Sequence, residues 1–126
     1  MKVTRAAPVL FVDAIEPTRD FFQRVGFTVT VEIPSGNAMG FALLERDGVQ
    51  VMVETRGNEN EAAALRDLTM QSRRAVVFVQ VDDLDELIAS LAGAKVLVER
   101  HKTFYNSDEL TYEEPGGHLV TFARFA

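Results

Sequence analysis

Residues 6–27 read AAPVLFVDAIEPTRDFFQRVGF, and residues 75–96 read AVVFVQVDDLDELIASLAGAKV, the same plan displaced by 75 − 6 = 69 positions. In the first stretch, Ala6–Val12 is an apolar run rich in β-branched and aromatic residues, which predicts a buried strand. Asp13 and Glu16 then have capping-box spacing, and Pro17 suits a first helical turn. Ile15, Thr18, Phe22 and Val25 fall on one helical stripe with Phe21 beside it, and Gly26 ends the helix. In the second stretch Ala75–Val81 predicts a strand. Asp83 with Glu86 forms the capping box, Leu84, Leu87, Ile88 and Leu91 form the stripe, and Gly93 is the stop.

Working outward, Phe27–Ile33 alternates with threonines as a half-buried strand does, and Pro34–Asn37 is a turn. Met39–Arg46 and Val49–Glu54 are strands, and Asp47-Gly48 between them is the strongest hairpin signal in the chain. Downstream of the second stretch, Val96–Glu99 is a short strand. Leu110–Glu113 and Leu119–Phe125 flank a turn at Pro115-Gly116-Gly117. At the same offset, and without a gap, Arg5 meets Arg74, Glu45 meets Glu114, Gly48 meets Gly117 and Val51 meets Val120. Helix falls on helix and hairpin on hairpin, as in an internal duplication. The expected fold is α+β: two tandem βαβββ modules forming a curved mixed sheet around a cleft, with the helices outside. Module one covers residues 1–56 and module two residues 72–126. A linker helix over 57–71, with Ala62, Leu65 and Leu68 on its apolar side, joins them into a single domain, 1–126.

The composition limits the function. With 126 residues, 47% hydrophobic, the chain can bury a core without staples. It has no cysteine, which excludes disulfides, thiolate metal sites and a cysteine nucleophile. A net charge of −6 disfavours nucleic acid and suits a cationic partner, though solubility alone also accounts for it. No apolar run is long enough to span a bilayer. The opening MKVTRAAPVL has no signal-peptide core, so a cytoplasmic location is expected. The glycines at 36, 40 and 48 lie in a strand meander, where they cannot form a phosphate loop. His101 and His118 are the only histidines and are read as exposed polar residues.

Two stretches carry a family resemblance. Val9–Phe27, an apolar strand, Asp, helix and Gly-Phe, resembles the opening of vicinal-oxygen-chelate proteins (glyoxalases, extradiol dioxygenases, bleomycin-resistance proteins). Glu114-Pro115-Gly116-Gly117-His118-Leu119-Val120-Thr121-Phe122 resembles their closing Asp-Pro-x-Gly-Asn-x-apolar-x-Phe signature. Ala7-Pro8-Val9-Leu10 and Leu84-Asp85-Glu86-Leu87 resemble most the bleomycin-resistance branch. That resemblance implies a homodimer, with the N-terminal strand open to exchange between subunits. The wider resemblance, to the superfamily's metalloenzymes, implies metal-ligand positions in the first and fourth strand of each module, which here are Ala7, Met52, Val76 and Thr121. Alanine and valine offer no donor, thioether is a poor ligand for hard or borderline ions, and a lone hydroxyl is weak, so no metal and no other cofactor is expected.

The alternation of each strand predicts which residues share the cleft face. Phe11, Gln50, Met52 and Glu54 lie on it in the first module, with Phe41 and Leu43 opposite the last two in the hairpin. Phe78 and Gln80 follow in the second module, and Tyr112 by the offset. Tyr105, in a loop read over 101–108 together with Phe104, is a further candidate. An apolar, aromatic face with sparse polar anchors suits a small organic ligand, a flat cation among the candidates; the same residue types also fill closed cores. The leading expectation is a metal-free binding protein that sequesters an aromatic antibiotic or secondary metabolite in a dimer cleft, breaking no bond. The alternative is a metal-independent isomerase or lyase with Glu54 as base and Tyr112 as assisting acid. A structural relative with a filled core and only a protein partner is a third reading.

Overall fold

The computed structural model describes residue 2, residues 4–56 and residues 75–126. The linker helix expected over 57–71 lies outside the described residues. The chain divides into two compact units, Met1–Ser72 and Arg73–Ala126. Each unit has the βαβββ order read from the repeat and one four-stranded mixed sheet.

The first unit runs β1 (Val9–Val12), α1 (Ile15–Arg24), β2 (Thr28–Ser35), β3 (Ala38–Arg46) and β4 (Val49–Thr55), with sheet order β1-β4-β3-β2. β1 is parallel to β4, with Val9 opposite Met52, and the other pairs are antiparallel. Buried residues alternate with less buried ones along β1, β3 and β4, among them Leu10 and Val12, Ala42 and Leu44, Val51 and Val53. α1 packs on β3 and β4. Its buried residues are Ile15, Thr18, Phe21 and Phe22, and the Phe22 ring meets Phe21 and Phe27 edge-on at 5.2 and 5.5 Å. These rings and branched side chains form the core of the unit. Past the helix, Gly26 takes φ +90°, and the Arg46 guanidinium donates to the Val25 carbonyl beside it. A side chain at Gly26 would be strained in φ and would strike Arg46.

The second unit runs β5 (Val76–Gln80), α2 (Leu84–Ser90), β6 (Val96–Lys102), β7 (Ser107–Glu113) and β8 (Leu119–Phe125), ordered β5-β8-β7-β6. Here the loop expected over 101–108 is half strand. β6 runs on through Lys102 and β7 starts at Ser107, leaving a turn at 103–106 with Asn106 at φ 69°. Polar side chains hid this hairpin, because β6 is exposed along its length and carries charge where a buried strand would carry apolar residues.

The capping boxes also part company. In α2, Asp83 is the N-cap and its carboxylate accepts from Glu86 N at 2.9 Å. In α1 the N-cap is Ala14, with no side-chain bond; Asp13 lies one residue too early and is exposed, 3.8 Å from Arg56. The expected Asp13–Glu16 box is therefore not formed.

The two final hairpins differ by one residue. Asp47 and Gly48 both take positive φ, 51° and 78°, as the two-residue turn of their type requires, and Glu45 faces Gln50. In the second unit Glu113 faces Leu119 across residues 114–118. Glu114, 1% exposed, turns its carboxylate inward to accept from Gly116 N at 2.7 Å and His118 N at 3.1 Å, and it also bonds the His118 ring. His118 is thus a part-buried member of the turn, where the sequence suggested an exposed residue. The extra residue breaks the gapless match, since β8 keeps the offset of 69 while β7 takes 68, as Thr111 faces Thr121 where Leu43 faces Met52. A one-residue slip turns every side chain of a strand to the opposite face.

The caps yield a stability prediction. Asp83→Ala should lower unfolding free energy by about 1 kcal/mol, and Asp13→Ala by no more than a few tenths. Urea midpoints of the two variants measure the difference; equal losses would contradict the assignment.

Candidate functional site

In the first unit the sheet face away from α1 is organised in cross-strand rows. Met52 stands between Val9 and Leu43, and Glu54 between Phe11 and Phe41. β2 extends both rows with Val31 beside Leu43 and Ile33 beside Phe41. Phe11, Phe41, Leu43, Gln50, Met52 and Glu54 are all half-buried, while Val9, Val31 and Ile33 are exposed. The six first-module candidates therefore share one apolar face with two polar side chains. Gln50 Oε1 is buried with no hydrogen-bond partner among the described residues, an acceptor that a ligand or water donor would satisfy.

In the second unit the face away from α2 carries Phe78 beside Thr121 and Thr111, and Gln80 beside Ala123 and Glu109. Val76 and Phe78 are half exposed, at 50% and 49%. Tyr112 is the correction here. The longer hairpin turns it to the opposite face, where it is 1% exposed and meets Phe122 edge-on at 5.9 Å. Tyr112 and Leu110 belong to the core of the unit, and neither reaches the face shared by Phe78 and Gln80.

In place of Tyr112 the structure puts Glu109, which sequence reasoning missed. Glu109 is 8% exposed. The Tyr105 hydroxyl donates to both of its oxygens, at 2.9 and 2.8 Å, and the Ser107 hydroxyl donates at 2.9 Å. Thr103 and Ser107 share a further hydroxyl contact of 2.7 Å. Tyr105, Phe125 and Phe78 follow one another with ring centroids 6.1 and 6.3 Å apart. The signal for Glu109 was the period-two run Ser107, Glu109, Thr111, legible only once β7 is known to begin at Ser107.

The donor set does not suit a divalent ion. The register sets Met52 opposite Val9 and Thr121 opposite Phe78, and the Thr121 hydroxyl is bonded to Thr111 at 2.7 Å. Each row of these pairs offers at most one amide or carboxylate. His101 is exposed, and its Nδ1 contacts the Glu99 carbonyl. Among the described residues no three His, Cys, Asp or Glu side chains converge. A hard or borderline cation needs several such ligands together.

A family model described as Glyoxalase/Bleomycin resistance protein/Dioxygenase superfamily matches residues 4–122. Comparison with curated proteins returns no match. Among solved structures, TioX from Micromonospora sp. ML1 is similar with TM-score 0.76 and 22% identity, covering 98% of this chain and 100% of that one. A glyoxalase/bleomycin resistance protein/dioxygenase family enzyme from Burkholderia phytofirmans PsJN gives TM-score 0.71 and 20% identity, covering 95% and 97%. At these identities the likeness concerns the fold.

The Tyr105–Glu109 contact has a titration signature. The phenol is held above its usual range, first by its hydrogen bond to Glu109, then by desolvation and by the charge of Glu109. With the folded value raised, the associated stability is complete below the ordinary phenol pKa of about 10 and is lost as pH rises through the folded value. Glu109→Gln should move the Tyr105 midpoint down. With only two tyrosines in the chain, phenolate absorbance against pH measures it, with Tyr105→Phe assigning the signal. An unmoved midpoint would contradict the contact.

Proposed function

The chain belongs to the Glyoxalase/Bleomycin resistance protein/Dioxygenase superfamily, and from that membership we propose that it is a metal-free binding protein that sequesters a small aromatic compound, an antibiotic or secondary metabolite. The observation that carries this reading is the sheet face of each unit opposite its helix. In a folded chain such a face is either covered or polar, and here it holds half-exposed phenylalanine, valine, leucine and methionine, with Glu45, Gln50 and Glu54 as polar groups in the first unit and Gln80, Glu109, Thr111 and Thr121 in the second. Flat apolar surface with few fixed polar groups binds aromatic ligands by area and by ring contact. Met52 adds a side chain that adapts to ligand shape. The protein acts as a cytoplasmic homodimer, with the N-terminal strand available for exchange, and protects by holding its ligand.

Thermal-shift measurements with divalent metals and with flat aromatic antibiotics test this. Aromatic compounds should raise the melting temperature and metals should not. Phe11→Ala and Phe78→Ala should each weaken aromatic binding by about 1–3 kcal/mol, read by calorimetric titration. Full affinity in both variants would remove the site.

A second reading has one observation in its favour. Glu54 is set by the register between Phe11 and Phe41, a half-buried carboxylate flanked by two rings. On this reading the protein is a metal-independent isomerase or lyase with Glu54 taking the proton. Turnover that survives a chelator and falls by about two orders of magnitude or more in Glu54→Gln would establish it; binding without turnover leaves sequestration.

A further inference from the structure

The Glu109 corner deepens the sequestration reading and rests on it. Four acids of the second unit are buried or half-buried: Asp108, Glu109, Glu113 and Glu114. Asp108 is paired with Arg100 at 2.8 Å, and Glu113 with Lys95 at 2.7 Å. Glu114 has two backbone N–H groups and the His118 ring. Glu109 differs from all three. Among the described residues its partners are two hydroxyls, and no cationic group bonds it.

A carboxylate has about four acceptor sites, and the two hydroxyls that bond Glu109 are neutral donors. Glu109 faces the same side of the sheet as the exposed rings of Phe78 and Phe125, because Ala123 stands beside it and Phe125 stands beside Ser107. Phe78, Tyr105 and Phe125 are 49%, 42% and 36% exposed, an uncommon density of aromatic surface beside a buried charge. Ring faces attract cations, and a carboxylate behind them adds a directional partner. The Tyr105 hydroxyl, carried on the 103–106 turn, is a donor that a stronger one can displace.

We propose that Glu109, with the rings of Phe78, Phe125 and Tyr105, seats a protonated amine or guanidinium borne by a flat aromatic ligand. The neutral Glu109→Gln side chain keeps the size of the carboxylate and loses its charge. Tyr105→Phe keeps the ring and frees the carboxylate from its hydroxyl.

Fluorescence titration with proflavine, a flat aromatic cation at neutral pH, and with acridone, an uncharged molecule of similar outline, tests the proposal. The native protein should bind proflavine about tenfold more tightly than acridone, and Glu109→Gln should erase that preference with acridone affinity nearly unchanged. Tyr105→Phe should raise proflavine affinity severalfold and leave acridone alone, which serves even if Glu109→Gln fails to fold. A proflavine preference that persists in a folded Glu109→Gln overturns the seat, as does a Tyr105→Phe variant with unaltered proflavine affinity. If Phe78→Ala then weakens both dyes equally, aromatic sequestration stands without it. A native protein that binds neither dye overturns both readings.

Discussion

The buried carboxylate of Glu114 is the constraint on which the second unit depends. By collecting the amide groups of Gly116 and His118 it holds five residues in the β7–β8 connection, and the length of that connection sets the strand register. Register in turn decides side-chain direction, since neighbours along a strand point to opposite faces. With this turn Tyr112 enters the core beside Phe122, and Thr111 and Glu109 emerge on the other face. A two-residue turn like Asp47-Gly48 would reverse the whole of β7. The chemistry offered by the second sheet is thus settled at a turn several residues from Glu109.

Much of the architecture is legible in the sequence because its causes are local. Helical stripes, alternating strands and the Asp47-Gly48 turn each act over a few residues, and their recurrence sixty-nine positions later marks the duplication. What stayed hidden depends on single-residue accounting. The capping box at Asp13 fails because α1 starts one residue later than a box needs, and the match of Glu45 to Glu114 fails because the second turn is longer. Polar strands were the other blind spot. β6 and the start of β7 carry charged and hydroxyl side chains, so a hydrophobic pattern outlines neither them nor the place of Glu109. The first-module candidates came out on one face because Ala42, Leu44, Val51 and Val53 alternate with them without interruption.

The repeated units have diverged where chemistry would reside and agree where packing does. Leu10 and Val53, Val79 and Phe122 keep apolar partners on the helix side. On the other side, the parallel pairs Val9–Met52 and Phe78–Thr121 offer no set of ligands for a hard cation, and the polar groups that remain are dispersed: Gln50 and Glu54 in one sheet, Gln80 and Glu109 in the other. Dispersed polar groups among rings are better suited to orienting an organic molecule than to enclosing an ion.

The parallel pairing of each first strand with its last has a kinetic side. β2, β3 and β4 are joined by short turns and can associate as soon as those turns form, as can β6, β7 and β8. β1 meets β4 only when Val9 reaches Met52, and β5 meets β8 only when Val76 reaches Leu119, so each closes a long loop around the intervening helix. Contacts so distant in sequence are entropically costly to bring together and form slowly. Contact order alone favours a meander that forms ahead of its own first strand. Until that strand arrives, β4 and β8 present open edges, rows of unpaired backbone groups of the kind that pair with any strand in reach.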